Sequence, residues 1–138
     1  MKNMKKTFLL VLFMLVASVA GAQEDYQFVG RHFIASYYGC DTTALCDVKK
    51  LNEILEMAAN ASGAHVLKSA DFLFPPHGLT AVLLLSESHA SIHTYPEFGA
   101  CFIDLFTCGH SCSAEKFDQV LRAYLKPAKV NAEILERK

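Results

Sequence analysis

Residues 83–97 read LLLSESHASIHTYPE, and the rest of the chain is organised around this stretch. An apolar run ends at Ser86, and beyond it the two-residue period of a strand places Ser91, His93 and Tyr95 on one face. The stretch predicts a central strand, a polar corner and a hairpin partner. Hydroxyls, a carboxylate and imidazoles directly after a buried strand are costly unless they are hydrogen-bonded or carry out chemistry. The corner is therefore the candidate functional site.

Outside this stretch, the same patterns predict further strands and two helices. β-Branched and aromatic runs between turn residues favour strands, whereas apolar residues at helical spacing behind a capping residue favour helices. The predicted strands cover residues 31–38, 64–69, 79–86, 91–95, 100–107 and 130–134. The predicted helices run from the caps at 41–43 to Gly63 and from Ser113 to Pro127, with a loop over residues 72–78.

These elements predict an α+β fold, a two-layer α/β sandwich with both helices on one face of the sheet. The opposite face is then left bare and rich in apolar side chains. A bare apolar face implies a partner surface, and the simplest partner is a second copy of the chain.

The first 22 residues have the composition of a secretory signal peptide. Three lysines precede an apolar run over residues 8–20, and residues 20–22 are small. The run is short for a membrane span, so no stable membrane anchor is expected after cleavage. Cleavage after Ala22 would leave one domain over residues 23–138 in the periplasm or outside the cell.

Composition and charge narrow the remaining classes of function. The chain carries 13 basic and 14 acidic groups, and removing the three leader lysines leaves 10 basic groups, so no nucleic acid partner is indicated. Five cysteines leave at least one thiol unpaired within the chain. They do not form paired Cys-x-x-Cys units, so no metal site is expected; the segment 108–112, CGHSC, is only a weak signal.

Four residues near the corner could carry chemistry, although each alone has a more ordinary interpretation. Ser88 at a turn is most often a local hydrogen-bonding group, and His93 a half-buried histidine. Cys108 alone is most often a small buried hydrophobe, and Asp104 in an apolar strand needs a partner. The residue types leave a hydrolase, a decarboxylase and a catalytically silent fold open, although the Gly-x-Ser-x-Gly motif of many hydrolases is missing.

The order of several motifs resembles the prokaryotic S-adenosylmethionine decarboxylase proenzymes. Residues 86–97 read SESHASIHTYPE, and residues 103–109 read IDLFTCG. The GRH at 30–32, the region of Cys40 and the FPPHG at 74–78 also match in order. The resemblance covers nearly all of residues 23–138.

The resemblance implies self-cleavage between Glu87 and Ser88 into a β chain, 23–87, and an α chain, 88–138. The new N-terminal serine becomes a pyruvoyl cofactor, which forms a Schiff base with S-adenosylmethionine and releases CO2 for spermidine biosynthesis. It also implies a homodimer with α/β/β/α layers and sites near the interface. The roles it implies for other residues are processing base for His93, processing assistance for Thr80, proton donor for Cys108, and substrate binding for Phe74 and Glu97.

Three departures keep alternatives open. Thr80 stands where the family more often has serine, and Tyr95 where it usually has tryptophan. The leader is the third, because S-adenosylmethionine is a cytoplasmic substrate. The chain is cytoplasmic if the leader is not used. If the chain is exported, a Cys108–Cys112 disulfide would remove the proton donor, and the protein could decarboxylate ornithine or arginine or be a silent domain of the same fold.

Overall fold

Six antiparallel strands form one sheet in the computed structural model, which describes residues 28–138. The predicted signal peptide and its cleavage site lie outside the described residues. The strands follow the spatial order β2-β3-β4-β5-β1-β6. Their bounds are β1 Gly30–Tyr38, β2 Val66–Phe74, β3 Gly78–Leu85, β4 Ser88–Tyr95, β5 Ala100–Cys108 and β6 Lys129–Arg137.

Three α-helices within residues 28–138 cover one face of this sheet: α1 Thr42–Cys46, α2 Val48–Ser62 and α3 Ala114–Leu125. The first predicted helix is in fact two, because Asp47 has non-helical dihedrals (φ −81°, ψ 79°) and its side chain accepts from the amide of Lys50 to cap α2. Gly63 ends α2 in the left-handed conformation, as predicted. Ser113 caps α3 through the amide of Lys116, also as predicted.

The core lies between the helices and one face of the sheet. Alternate residues of the strands and the apolar stripes of α2 and α3 are buried there. Among the fully buried side chains are Leu51, Leu55, Leu79, Leu83, Ile92, Ile103, Leu105, Phe117 and Leu121. The predicted two-layer α+β sandwich is confirmed.

Two boundaries differ from prediction, one at each end of β3. Strand β2 continues to Phe74, because Phe72 and Phe74 pair with Thr80 and Gly78 across the hairpin, and the predicted loop shrinks to residues 75–77. Strand β4 begins already at Ser88, which pairs with Leu85, so the corner is only two residues long. The strand accommodates polar side chains because Ser91 and His93 lie on its partly exposed face, whereas Ala90, Ile92 and Thr94 on the other face are buried.

The sheet face opposite the helices is exposed, as predicted, and it carries large apolar side chains. Phe72 is 61% exposed, Leu84 51% and Phe102 43%. A monomer seldom leaves so many in one place without a partner. None of the helices within residues 28–138 is long and apolar enough to cross a membrane.

Candidate active site

The turn between β3 and β4 is held by backbone hydrogen bonds from two distant segments. The amide of Ser86 donates to the carbonyl of His65 at 3.0 Å, and the amide of Cys108 donates to the carbonyl of Glu87 at 2.9 Å. The next residue, Ser88, has a φ of +151°, in a region that L residues rarely adopt. The peptide bond between Glu87 and Ser88 therefore combines a polarised carbonyl with a strained backbone.

The side chain of Glu87 is fixed as firmly as its carbonyl. Its two oxygens accept from the amide of His65 at 2.9 Å and lie 2.8 Å from His65 Nδ1. Burial raises the pKa of the Glu87 carboxyl, but the hydrogen bonds from His65 and Ser86 outweigh it and bring the pKa to about 2. The carboxylate is thus ionised at neutral pH and ties the turn to the start of β2.

One side chain lies close to the strained serine, and a thiol lies at the end of the neighbouring strand. His89 places Nδ1 3.0 Å from the Oγ of Ser88. Cys108, at the end of β5, is exposed and follows Thr107, the register partner of Ser88. Cys108 and Cys112 are both free thiols, and burial raises the pKa of the Cys112 thiol. The corner thus joins a hydroxyl, an imidazole and a thiol.

A second group of predicted residues lines a cavity of about 700 Å³ at the other end of β4. Phe74, His93 and Glu97 all line it. The Nδ1 of His93 lies 2.5 Å from the Oγ1 of Thr80, and its ring centroid lies 5.9 Å from that of Phe74 and 4.6 Å from that of Tyr95. Aromatic rings beside a carboxylate suit a flat, hydroxyl-bearing and positively charged ligand.

A single protomer does not bring these two groups together. Ser88 and His93 are five residues apart in one extended strand, a separation of about 16 Å at about 3.3 Å per residue. The prediction that both cluster around one corner is therefore wrong within one chain. Its physical cause is that β4 begins at Ser88, so the segment after the corner runs straight instead of folding back.

Asp104, which needed a partner, has two on the exposed sheet face. Its carboxylate lies 3.1 Å from His32 Nε2 and accepts from the Oγ of Ser91 at 3.4 Å. Sequence reasoning missed His32 and His65, because each meets its carboxylate across a distant strand or turn. It also gave no role to His89, although this residue follows the serine directly. Within residues 28–138, no three His, Cys, Asp or Glu side chains are grouped so as to hold a metal ion.

Comparison with known proteins identifies the class of this fold and site. A family model described as S-adenosylmethionine decarboxylase matches residues 31–138. The S-adenosylmethionine decarboxylase proenzyme of Thermosipho africanus is 40% identical over 103 residues, which cover 75% of this chain and 79% of that protein. The S-adenosylmethionine decarboxylase proenzyme 2 of Bacillus cereus is 41% identical over 113 residues, covering 82% and 92%.

A solved structure agrees with these relatives. The crystal structure of the adenosylmethionine decarboxylase from Aquifex aeolicus has a TM-score of 0.73 and 35% sequence identity to this chain, and the match covers 79% of this chain and 90% of that one. Fold and sequence thus both point to a decarboxylase class. The chain belongs to the S-adenosylmethionine decarboxylase family.

Proposed function

We propose that the chain is a self-processing, pyruvoyl-dependent decarboxylase that converts S-adenosylmethionine to its decarboxylated form and CO2, which serves spermidine biosynthesis. The observation that carries the proposal is the corner at Glu87 and Ser88. A non-glycine residue at a φ of +151° directly follows a carbonyl that accepts from the Cys108 amide. Residues with backbone strain of this kind, of about 1–3 kcal/mol, cluster at active sites.

Self-cleavage begins with the side chain of Ser88 and the carbonyl of Glu87, and its last step consumes one water molecule. The Oγ of Ser88 attacks the carbonyl carbon of Glu87, the C–N bond breaks, and the amide becomes an ester. Loss of the proton on the serine α-carbon then expels the ester oxygen, which stays with Glu87 as part of its new carboxylate. Water then reacts at the α-carbon of residue 88: the nitrogen leaves as ammonia, and the oxygen of the water becomes that of a ketone. The strained amide favours the first step, because ester formation releases the strain.

Processing by His93 requires a second copy of the chain. The proton on the α-carbon of Ser88 is about 16 Å from His93 of the same strand, too far for transfer. The exposed apolar face supports a homodimer in which the two sheets pack face to face, giving α/β/β/α layers. A twofold axis through that interface would bring the His93 end of one sheet over the Ser88 end of the other. Thr80 would then orient the imidazole through its 2.5 Å contact.

In the proposed decarboxylation, the cofactor and Cys108 have separate roles. A pyruvoyl group would supply a ketone that binds the substrate amine and accepts the electron pair that stays on the substrate α-carbon when CO2 leaves. Cys108 is exposed at the end of β5, on the strand that pairs with Ser88, and this position supports its thiol as the group that returns a proton to the substrate α-carbon. A thiol suits this step as long as it stays protonated until CO2 leaves.

The cavity around Phe74 and Glu97 supports S-adenosylmethionine as the substrate. An aromatic ring can stack on adenine, and a carboxylate can accept from both ribose hydroxyls. The sulfonium cation is attracted to aromatic faces, and the ring of Tyr95 lies beside that of His93. Ornithine and arginine have neither an adenine ring to stack on Phe74 nor a ribose to bind Glu97.

Substitutions at Phe74 and Glu97 test this substrate. We expect Phe74→Ala and Glu97→Gln each to raise the KM for S-adenosylmethionine by roughly tenfold or more, since base stacking and charge-assisted hydrogen bonds contribute about 1–3 kcal/mol each. The measurement is CO2 release from carboxyl-labelled substrate by fully cleaved enzyme. Leu67→Ala and Glu53→Gln, both exposed and outside the cavity, are the matched controls. An unchanged KM in both test variants would instead favour ornithine or arginine.

The leader-like composition of residues 1–22 favours export to the periplasm or out of the cell, whereas S-adenosylmethionine as the substrate favours the cytoplasm. An N-terminus at Gln23 on the purified protein would establish export and favour the alternative substrates. A cytoplasmic protein would retain those residues. The remaining alternative, a catalytically silent exported domain, differs sharply from the enzyme, because it would never be cut at Glu87.

A further inference from the structure

His89 is the imidazole that contacts Ser88 within the same chain. Its Nδ1 lies 3.0 Å from the serine Oγ, whereas His93 of that chain is about 16 Å away along the strand. We infer that His89 is a catalytic residue of self-cleavage, the base that takes the proton of the Ser88 hydroxyl as it attacks Glu87. This inference rests on the proposed function and assigns its first chemical step.

The ring of His89 is held in place by its neighbours on the exposed sheet face. It faces Phe106, its register partner on β5, with 5.6 Å between ring centroids. Phe106 is in turn contacted by the edge of His32 at 5.5 Å and by the guanidinium of Arg137 at 4.7 Å. The contact with Phe106 limits the rotation of the exposed imidazole, whose Nδ1 lies within hydrogen-bonding distance of the hydroxyl.

Gly30 leaves the space that Phe106 occupies. A Cβ at this position would lie only 2.5 Å from the Phe106 ring. The glycine of the GRH motif thus has a structural reason, because a side chain at residue 30 would collide with the ring that contacts His89. A path of direct contacts runs from Gly30 through Phe106 and His89 to the attacking oxygen.

The step balances without any outside reagent. Nδ1 of His89 accepts the hydroxyl proton while the Oγ of Ser88 bonds to the carbonyl carbon of Glu87. The charge that develops on the Glu87 oxygen is stabilised by the Cys108 amide, which already donates to it at 2.9 Å. The same proton then passes from Nδ1 to the leaving nitrogen of Ser88, the C–N bond breaks, and the ester forms. His93 of the second copy acts only afterwards, on the α-carbon.

Treatment with hydroxylamine distinguishes the steps at which the two histidines act, because under mild conditions it cleaves esters much faster than amides. The uncut His93→Ala chain should hold the ester, and hydroxylamine should split it between residues 87 and 88. The His89→Asn chain should remain an amide and resist hydroxylamine, with self-cleavage slowed about a hundredfold. Asparagine keeps a hydrogen-bonding group near the Nδ1 position but cannot accept a proton. His110→Asn, which removes another exposed imidazole, should be cut at the wild-type rate.

The melting temperature of each variant is the control for misfolding. A second substitution, His89→Gln, should behave as His89→Asn does. Cleavage of both His89 variants at the wild-type rate would overturn the inference and leave the proposed function intact. An uncut His89 variant that hydroxylamine splits would also overturn it, since His89 would then act after ester formation. A wild-type chain that is never cut would overturn both.

Discussion

His93→Ala is expected to leave the chain uncut, and co-expression with Ser88→Ala is expected to restore cleavage to about half of the His93→Ala chains. The reason is the separation of about 16 Å between the two residues along β4, which requires the imidazole to come from a second copy. In a mixed dimer, the Ser88→Ala chain supplies His93 to the intact Ser88 of its partner. Random pairing makes roughly half of the dimers mixed.

The measurement is the fraction of each chain that is cut, read from the intact masses after co-expression at equal levels. Each variant expressed alone is the control and should remain uncut. A mixed preparation without any cleavage would contradict the composite site. Wild-type cleavage of His93→Ala alone would remove His93 from the processing chemistry altogether.

Cys108→Ala is expected to lower kcat by roughly 10²- to 10⁴-fold, the usual contribution of a general acid, while the chain is still cut. The two effects separate because only the thiol returns a proton to the substrate. The backbone amide of residue 108, which contacts the Glu87 carbonyl at 2.9 Å, remains in the variant. Alanine therefore removes the proton donor without removing the group that polarises the cleaved bond.

The comparison is CO2 release by cleaved wild type, Cys108→Ala and Cys112→Ala. Cys112 is buried four residues further on and should retain most of the activity when substituted. A kcat for Cys108→Ala within a few-fold of wild type would show that another group donates the proton. A Cys108→Ala chain that remains uncut would show that the thiol itself takes part in processing.

Local periodicity was sufficient to predict the sheet, because each strand keeps one buried and one exposed face. The alternation of Ser91, Ile92 and His93 predicts that Ile92 lies on the opposite face from the other two, and in the structure Ile92 is buried while Ser91 and His93 are partly exposed. The break between α1 and α2 was missed because Asp47 lies within a continuous apolar stripe, and only its dihedrals and its bond to Lys50 reveal a new cap.

The site was harder to predict than the fold, since its contacts join distant parts of the chain or use backbone atoms. His65 and Glu87 are 22 residues apart, and side-chain patterns do not pair them. No side-chain motif could predict the contact of the Cys108 amide, because it is a backbone hydrogen bond to the carbonyl of Glu87. The position of His93 relative to Ser88 depends on where β4 begins. Because the strand is extended from Ser88 onward, the two residues lie near opposite ends of the sheet although they are close in sequence.

The most direct measurement is the intact mass of the purified wild-type chain beside a Ser88→Ala control. The expected result is two polypeptides from wild type, one ending at Glu87 with a free carboxylate and one lighter by one ammonia than a peptide that starts with Ser88. The control should remain a single uncut chain. A single uncut mass for the wild type as well would contradict a pyruvoyl enzyme and favour a silent domain.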